Sequence, residues 1–175
     1  MSEILKMIKA AMARQTPIQM GEGADYAANR AIMDDPANQI GVVANVSIAQ
    51  RQFGGVDCEL LTPAAAKSDG IIFYIHGGAF AYGSALSSRG YASVLADELG
   101  MRVVTISYRL APEHKWPAGS DDCFEAYQGI LESFPGSETV LVGESAGGTM
   151  VLVTALRAKA AGIPLEKSAR KALRL

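Results

Sequence analysis

The sequence predicts an α/β fold with a doubly wound, mostly parallel sheet. Three short segments, 71–75, 101–107 and 140–142, are predicted to be strands buried on both faces, and the first of them is apolar without interruption. Segments of helical length separate them, one over 84–99 and one that ends at about Phe134. Strands that alternate with helices are joined by right-handed crossovers, so this order favours parallel strands with helices on both faces of the sheet.

Two helices and a hairpin are predicted before the first of these buried strands. Apolar residues recur at helical spacing within 2–14, and 23–33 can form a second helix that stops at the Asp-Asp-Pro sequence 34–36. Over 42–61 the period changes to two, with a Gly-Gly pair at 54–55 between two alternating runs. This pattern predicts an antiparallel hairpin.

Composition limits the classes of protein to which the chain can belong. Its 175 residues are 49% hydrophobic, and a net charge of −2 gives no basic footprint for nucleic acid or an anionic membrane. The N-terminus lacks a secretory signal and no later stretch is long and apolar enough to span a bilayer, so we expect a cytoplasmic protein whose partner is a small neutral molecule. Cys58 and Cys123 occur in no metal-binding spacing and are expected to be buried thiols.

The strand at 140–142 leads into Gly-Glu-Ser-Ala-Gly-Gly at 143–148 and then into a long apolar helix. Strand, sharp turn and helix around G-x-S-x-G predict a nucleophile elbow that presents the hydroxyl of Ser145 above the sheet edge. We expect a strained backbone at the serine, and expect Gly148 to let the helix lie close to its strand. The alternative is a glycine-rich turn of purely structural use.

A second glycine cluster, at 76–78, directly follows the strand 71–75. Acyl transfer needs a nucleophile, a base, an acid that orients the base, and amides that stabilise the oxyanion. The serine and the exposed amides of the glycine cluster supply two of these four, at the same edge of the sheet. The alternative is that these glycines merely close turns. Neither cluster has the G-x-G-x-x-G pattern of a nucleotide-binding domain.

The segments 76–80, 107–113 and 143–148 closely resemble the three signatures of the hormone-sensitive-lipase-like carboxylesterases, an α/β-hydrolase family. The similarity covers residues 1 to about 164. It implies an α/β-hydrolase fold, hydrolysis of short to medium acyl esters, and no metal or cofactor. The resemblance also implies that Ser145 is the nucleophile. It implies that Ala146, Gly78 and Ala79 donate the amides of an oxyanion hole, with Gly77 shaping the turn. Ala79 stands where the family usually has a third glycine.

The resemblance also implies a division of the chain. Residues 1–40 form N-terminal cap helices, of which 1–35 are the lid that faces the substrate. Residues 41–164 form a partial α/β-hydrolase core. The segment 165–175 is set apart by its composition, which is nearly half charged, and is interpreted as an atypical charged tail.

Parts of a catalytic triad are missing from the sequence. α/β-Hydrolases order the triad as serine, acid and histidine, but no histidine follows Ser145 and the only acidic residue after it is Glu166. We therefore expect a truncated sheet and a chain that is inactive alone, and the charged ending fits truncation or a frame shift near Pro164. The alternative is a non-catalytic remnant or interaction module that self-associates through an open sheet edge.

The remaining polar residues of these motifs are interpreted as structural. His76 is expected to hold the glycine cluster by hydrogen bonding rather than act as a base, and His114 belongs to the loop signature. We expect Arg109 to pair with Glu113 and hold that loop. The aspartates at 121–122 are expected to cap or charge a helix start.

Overall fold

The computed structural model describes residues 6, 9–10, 13, 16–19 and 21–163. Its elements, in chain order, are α1 (Tyr26–Asp34), a 3-10 turn (Pro36–Asn38), β1 (Val46–Phe53), β2 (Val56–Pro63), β3 (Ile71–Ile75), α2 (Ala85–Leu99), β4 (Arg102–Ile106), α3 (Ala118–Ser133), β5 (Thr139–Gly143) and α4 (Ala146–Ala160). The tail at 165–175 and most of the helix predicted over 2–14 lie outside the described residues.

The predicted hairpin is confirmed as the antiparallel pair β1–β2, in which Phe53 lies opposite Val56. Gly54 and Gly55 form the turn with φ angles of 57° and 80°, which is the left-handed region that two-residue hairpin turns require. The turn packs on α3, because a Cβ added to Gly54 would lie 2.1 Å from the Glu125 carbonyl oxygen.

The sheet is mixed rather than mostly parallel. Within the described residues its strand order is β1-β2-β4-β3-β5. β3 pairs in parallel with both β4 and β5, whereas β2 pairs antiparallel with β4. The hairpin joins the sheet through its second strand, and this makes two of the four pairings antiparallel. The prediction of parallel strands therefore holds for the alternating strand-and-helix part of the chain alone.

Helices cover both faces of the sheet, as predicted for a doubly wound fold. The odd-numbered residues of β3, Ile71, Phe73 and Ile75, share a core with apolar side chains of α3 and α4. The even-numbered Ile72 and Tyr74 share a second core with α2. All five residues of β3 are buried, which explains why its sequence is apolar without alternation.

The ends of the helices are set by local sequence. α1 begins after Asp25, whose carboxylate accepts a hydrogen bond from the Ala28 amide at 2.9 Å, and it ends before the turn at Pro36 as predicted. α2 begins with a capping box between Ser84 and Ser87 and ends at Gly100, whose φ is 61°. Among the described helices, none combines the length and hydropathy needed to cross a membrane.

Candidate active site

Ser145 lies at the junction of β5 and α4 in a strained conformation. Its φ of 50° and ψ of −121° lie in a backbone region that residues other than glycine rarely adopt. The side chain makes no capping hydrogen bond to α4, and the residue is exposed. A hydroxyl is therefore presented at a helix N-terminus, where the backbone amides and the helix dipole favour negative charge.

Close packing at this turn depends on Gly147. A Cβ added there would lie 2.1 Å from the Ile75 carbonyl oxygen and 2.7 Å from that of His76, so α4 starts directly above the end of β3. At Gly148 an added Cβ would meet only the Gly143 carbonyl oxygen, at an ordinary 3.7 Å. The prediction that Gly148 permits the close approach is therefore wrong, because its neighbour is the residue that contacts the sheet.

The glycine loop, residues 76–82, leaves the end of β3 as a tight turn. Its Gly78 has a φ of 105°, and its carbonyl oxygen accepts from the amides of Ala81 and Tyr82 at 3.0 and 2.9 Å. Ala79 and Phe80 follow with φ angles of 53° and 62°. These are left-handed conformations that cost a non-glycine residue on the order of 1 kcal/mol each. Ala79 thus adopts a backbone that suits the glycine usual in the resembled family.

The glycine loop and Ser145 lie against each other. Ile75 and Gly143, the last residues of β3 and β5, are register partners in the sheet. A Cβ added to Gly77 would lie 3.1 Å from Cβ of Ser145 and 2.9 Å from the Glu144 carbonyl oxygen. The structure therefore brings together the two motifs that the sequence places at one sheet edge. Ala146, the first residue of α4, is buried beside them.

His76 is buried within the core of the loop rather than directed at the serine. Its ring stacks on Tyr108 with the ring centroids 4.3 Å apart, and its Nδ1–H donates to the Gly77 carbonyl oxygen at 2.7 Å. The Tyr108 hydroxyl donates in turn to the His76 carbonyl oxygen at 3.0 Å. Burial lowers the pKa of His76 to about 4, so the ring is neutral at pH 7. These contacts agree with the structural role expected for this residue.

The charged residues of the loop between β4 and α3 pair differently from the prediction. Arg109 binds Asp122 through Nε at 2.9 Å and Nη2 at 2.7 Å, and its backbone amide also donates to Asp122 at 2.7 Å. Glu113 instead binds Arg30 of α1. The predicted Arg109–Glu113 pair is wrong, because Asp122 of α3 presents a buried carboxylate to both the backbone and the side chain of Arg109.

A cavity of about 610 Å³ lies between the N-terminal segment and the sheet, next to the glycine loop. The N-terminal side of its wall includes Pro17, Ile18, Ile32, Met33 and Ile40. The opposite side includes Tyr74, His76, Gly77, Gly78, Tyr91 and Glu144. The N-terminal side also contributes the polar Thr16, Asn38 and Gln39, so the wall combines apolar and polar groups on both sides. Among the described residues, no group of three or more His, Cys, Asp or Glu side chains could hold a metal ion.

Comparison with known proteins assigns the family. A sequence model of the α/β-hydrolase fold matches residues 72–171, more than half of the chain. The chain belongs to the α/β-hydrolase family. This α/β hydrolase is 32% identical over 112 residues to versiconal hemiacetal acetate esterase of Emericella nidulans, a match that covers 64% of the chain and 39% of the relative. It is 32% identical over 146 residues to an esterase of Acinetobacter venetianus, covering 83% of the chain and 47% of the relative.

A solved hormone-sensitive lipase from a metagenome library has the same fold. It superposes on 94% of this α/β hydrolase with a TM-score of 0.76 and 27% identity, and 54% of the lipase chain is covered. The resemblance to hormone-sensitive-lipase-like esterases is thereby confirmed. The α/β hydrolase spans about half the length of these relatives or less.

Sequence reasoning missed Arg30, which contacts both loops that border the site. Its guanidinium donates to the carbonyl oxygen of Ala81 in the glycine loop and to that of Ala111 after β4. A signal was present in Glu113, a loop carboxylate for which the sequence already predicts an ion pair. The sequence alone did not indicate that the cation comes from a helix 83 residues earlier.

Proposed function

We propose that this chain carries the nucleophile and the oxyanion-binding amides of a carboxylic ester hydrolase that acts on short to medium acyl esters. The observation that carries the proposal is the strained Ser145, with a φ of 50°, set against the glycine loop at Gly77. In this proposal Ser145 is the nucleophile. Ala146, Gly78 and Ala79 donate amides to the oxyanion, and Gly77 shapes the turn.

The proposed reaction begins with attack of Ser145 Oγ on the ester carbonyl carbon. The carbonyl oxygen gains negative charge, which the loop amides and the N-terminus of α4 stabilise. Collapse of the tetrahedral intermediate expels the alcohol and leaves an acyl-serine, which water then cleaves to release the acid. The serine proton must pass to a base. His76 does not fit this role, because it is buried, its Nδ1–H is bound to Gly77, and its pKa is low.

We expect weak catalysis by the 175-residue chain, because the residues after Ser145 include no histidine and Glu166 alone as an acid. Without a triad base, binding and the oxyanion amides remain, and they support roughly a thousandfold acceleration over water at best. Addition of a separately encoded C-terminal half of such an enzyme is expected to raise the rate.

The cavity beside the glycine loop supports a small ester as the substrate. Its wall includes residues of the N-terminal segment. This supports the proposal that residues 1–40 form a cap, of which 1–35 face the substrate. Its volume of about 610 Å³ is in the range of small-molecule sites. No cofactor is part of this proposal, and we place the protein in the cytoplasm.

The proposal is tested with a fluorophosphonate probe and with p-nitrophenyl acetate. We expect the probe to modify Ser145, located by peptide mass spectrometry, and Ser145→Ala to abolish both labelling and ester cleavage. Ser47→Ala is the matched control, since Ser47 is exposed on β1, away from the site. Absence of labelling with and without the complementing C-terminal half, or unchanged cleavage by Ser145→Ala, would contradict the proposal.

The second candidate is an interaction module that self-associates through the sheet edge. Among the described strands β5 is the last in the sheet, and α4 beside it exposes Leu152 and Leu156 at 66% and 67%. An unpaired strand edge with adjacent apolar side chains recruits further chains. Binding of a C-terminal half without recovery of esterase activity supports this module. Recovery of activity supports the hydrolase.

A further inference from the structure

We propose that Arg30 is a positioning residue that holds the glycine loop in its strained conformation. The role of that loop in ester hydrolysis rests on the proposed function. The hydrogen bonds that fix the shape of the loop are independent of the proposed function.

Arg30 uses most of its guanidinium donors in one cluster. Nε donates to the Ala81 carbonyl oxygen at 2.8 Å, and Nη2 donates to the Ala111 carbonyl oxygen at 2.7 Å. Nη1 and Nη2 also bind the two carboxylate oxygens of Glu113 at 2.9 and 2.8 Å. One side chain of α1 thus binds both the loop that follows β3 and the loop that follows β4. Two of its three partners, Ala81 and Ala111, are bound through their backbone carbonyls, and the third, Glu113, through its carboxylate.

These contacts close a ring. The Ala111 amide donates to the Phe80 carbonyl oxygen at 2.8 Å, and the Ala111 carbonyl oxygen accepts from Arg30. Arg30 then reaches Ala81, the residue that follows Phe80. The amide of Ala111 therefore holds the Phe80 carbonyl directly, and its carbonyl oxygen holds the Arg30 guanidinium that binds the next carbonyl, that of Ala81. The ring adjoins the site, since Gly78 lines the cavity and its carbonyl oxygen accepts from the Ala81 amide.

The glycine loop needs such support because two of its residues are strained. Ala79 and Phe80 have φ angles of 53° and 62°, and each would relax to negative φ if the loop were released. Relaxation would rotate the peptide planes and so reorient the loop amides that the proposed function assigns to the oxyanion. A planar guanidinium can bind two carbonyls and a carboxylate at once. An ammonium group, as in lysine, is a single point of charge that cannot replace this fork.

Glu113 has a smaller part in the ring than the carbonyls have. It is half-exposed at 51%, whereas the Arg30 side chain is 24% exposed, so solvent weakens the ion pair itself. Its contact with Arg30 lowers the pKa of Glu113 to about 2. We infer that Glu113 orients the guanidinium, and that Glu113→Gln perturbs the glycine loop less than a change at Arg30 does.

The test is hydrogen exchange in the full 175-residue chain, read by mass spectrometry on peptides that cover 77–83 and 110–114. Arg30→Ala removes two hydrogen bonds to backbone carbonyls, so exchange in these peptides is expected to accelerate at least about tenfold. Peptides from the hairpin at 46–63 are expected to keep the wild-type rate. Arg157→Ala is the matched control, because Arg157 also pairs with a carboxylate, that of Asp121, without contacting the glycine loop.

Chemical rescue separates positioning from general stability. Methylguanidinium at millimolar concentration is expected to restore slow exchange at 77–83 in Arg30→Ala, whereas methylammonium is not. Arg30→Lys, which keeps the charge and the stem, is the second variant and is expected to show fast exchange in the same peptides. Equal acceleration across the hairpin, equal rescue by both cations, or unchanged exchange at 77–83 would each overturn the proposal.

A kinetic measurement adds the link to catalysis. In the complemented enzyme, Arg30→Lys is expected to lower kcat about tenfold with KM unchanged, because the loop amides act on charge that develops only in the transition state. A rise in KM with kcat unchanged would overturn the positioning role. If the wild-type chain shows neither labelling nor turnover, with or without the C-terminal half, the proposed function fails while exchange and rescue still decide the role of Arg30.

Discussion

At the scale of single residues, the site depends on a few backbone conformations that the surroundings enforce. Ser145, Ala79 and Phe80 all have φ between 50° and 62°, and all three lie at the carboxyl ends of β3 and β5. Strain of this kind persists only where neighbouring contacts determine the backbone. A glycine that lies against backbone atoms at this site is therefore expected to tolerate a side chain much less well than a glycine with open space beside it.

Gly147 and Gly148 provide a matched pair for this expectation. Gly147→Ala is expected to lower the free energy of unfolding by about 3 kcal/mol or more, because the new Cβ overlaps backbone atoms that cannot move aside. Gly148→Ala is expected to change it by less than about 1 kcal/mol, since the site is open and alanine favours the helix. Urea unfolding of both variants measures the difference. Equal losses would show that the close approach at Ile75 is not rigid.

His76 predicts a pH dependence of stability. Its pKa is about 4 in the folded chain, against an ordinary value of 6.5, so between these values the unfolded chain binds more protons. The stabilising contribution is complete above pH 6.5 and falls as the pH is lowered to 4, by roughly 3 kcal/mol in total. His76→Asn is expected to remove this part of the slope. His114→Asn, at an exposed loop residue, is expected to keep it.

At the scale of elements, polar contacts between distant segments hold the loops around the site. Arg30 joins α1 to both loops, Asp34 of α1 accepts a hydrogen bond from Ser84 at 2.5 Å, and Tyr26 stacks on Tyr82. Asp122 at the start of α3 binds the loop after β4. The loops at the carboxyl edge of the sheet are therefore ordered by the helices on either side of them.

Substitution of the neighbouring Asp121 and Asp122 compares an exposed ion pair with a buried one. Asp122 is 7% exposed and accepts from the Arg109 amide, so Asp122→Ala is expected to lower the free energy of unfolding by about 2 kcal/mol or more. Asp121 pairs with Arg157 where both side chains are 36% exposed, and Asp121→Ala is expected to cost less than about 1 kcal/mol. Thermal and urea unfolding compare the two variants. A larger loss at Asp121 would contradict this order.

At the scale of the whole molecule, the described chain has an uneven surface. β5 lies at one end of the sheet, and the adjoining α4 carries Leu152 and Leu156, each about two thirds exposed. The opposite end of the sheet is the hairpin, where residues 47–52 of β1 are exposed or half-buried, as expected at a solvated edge. Association of the chain is therefore expected on the α4 side.

Leu152→Lys combined with Leu156→Lys is expected to shift the chain toward monomer at a given concentration, because two charges repel copies and hydrate the apolar patch. Leu99→Lys is the control, since Leu99 is 50% exposed at the end of α2 on the other face. Light scattering after size exclusion measures the mass. A wild-type chain that is monodisperse and monomeric, with a sharp cooperative unfolding transition, would contradict the expectation.

Much of the fold is predictable because it depends on near neighbours in the chain. The buried strand 71–75, the hairpin turn at Gly54–Gly55 and the helix after Ser145 all follow from periodicity and glycine placement. The pairing of Glu113 and the mixed character of the sheet were not predictable in this way. Arg30 is 83 residues from Glu113, and the strand beside which a hairpin docks is not encoded in the hairpin itself.

The order of strands and helices from β1 to α4 was predictable from the amino-acid sequence alone, and so was the placement of a serine turn and a glycine loop at the ends of two strands. Three features became visible only in the folded chain: β3 and β5 lie side by side, Gly147 makes the close approach, and Arg30 and Asp122 bind the surrounding loops. The difference comes from the distance along the chain over which each interaction acts. Backbone conformation answers to residues a few positions away, whereas hydrogen bonds and packing form between whichever groups the completed sheet and its helices bring within contact distance.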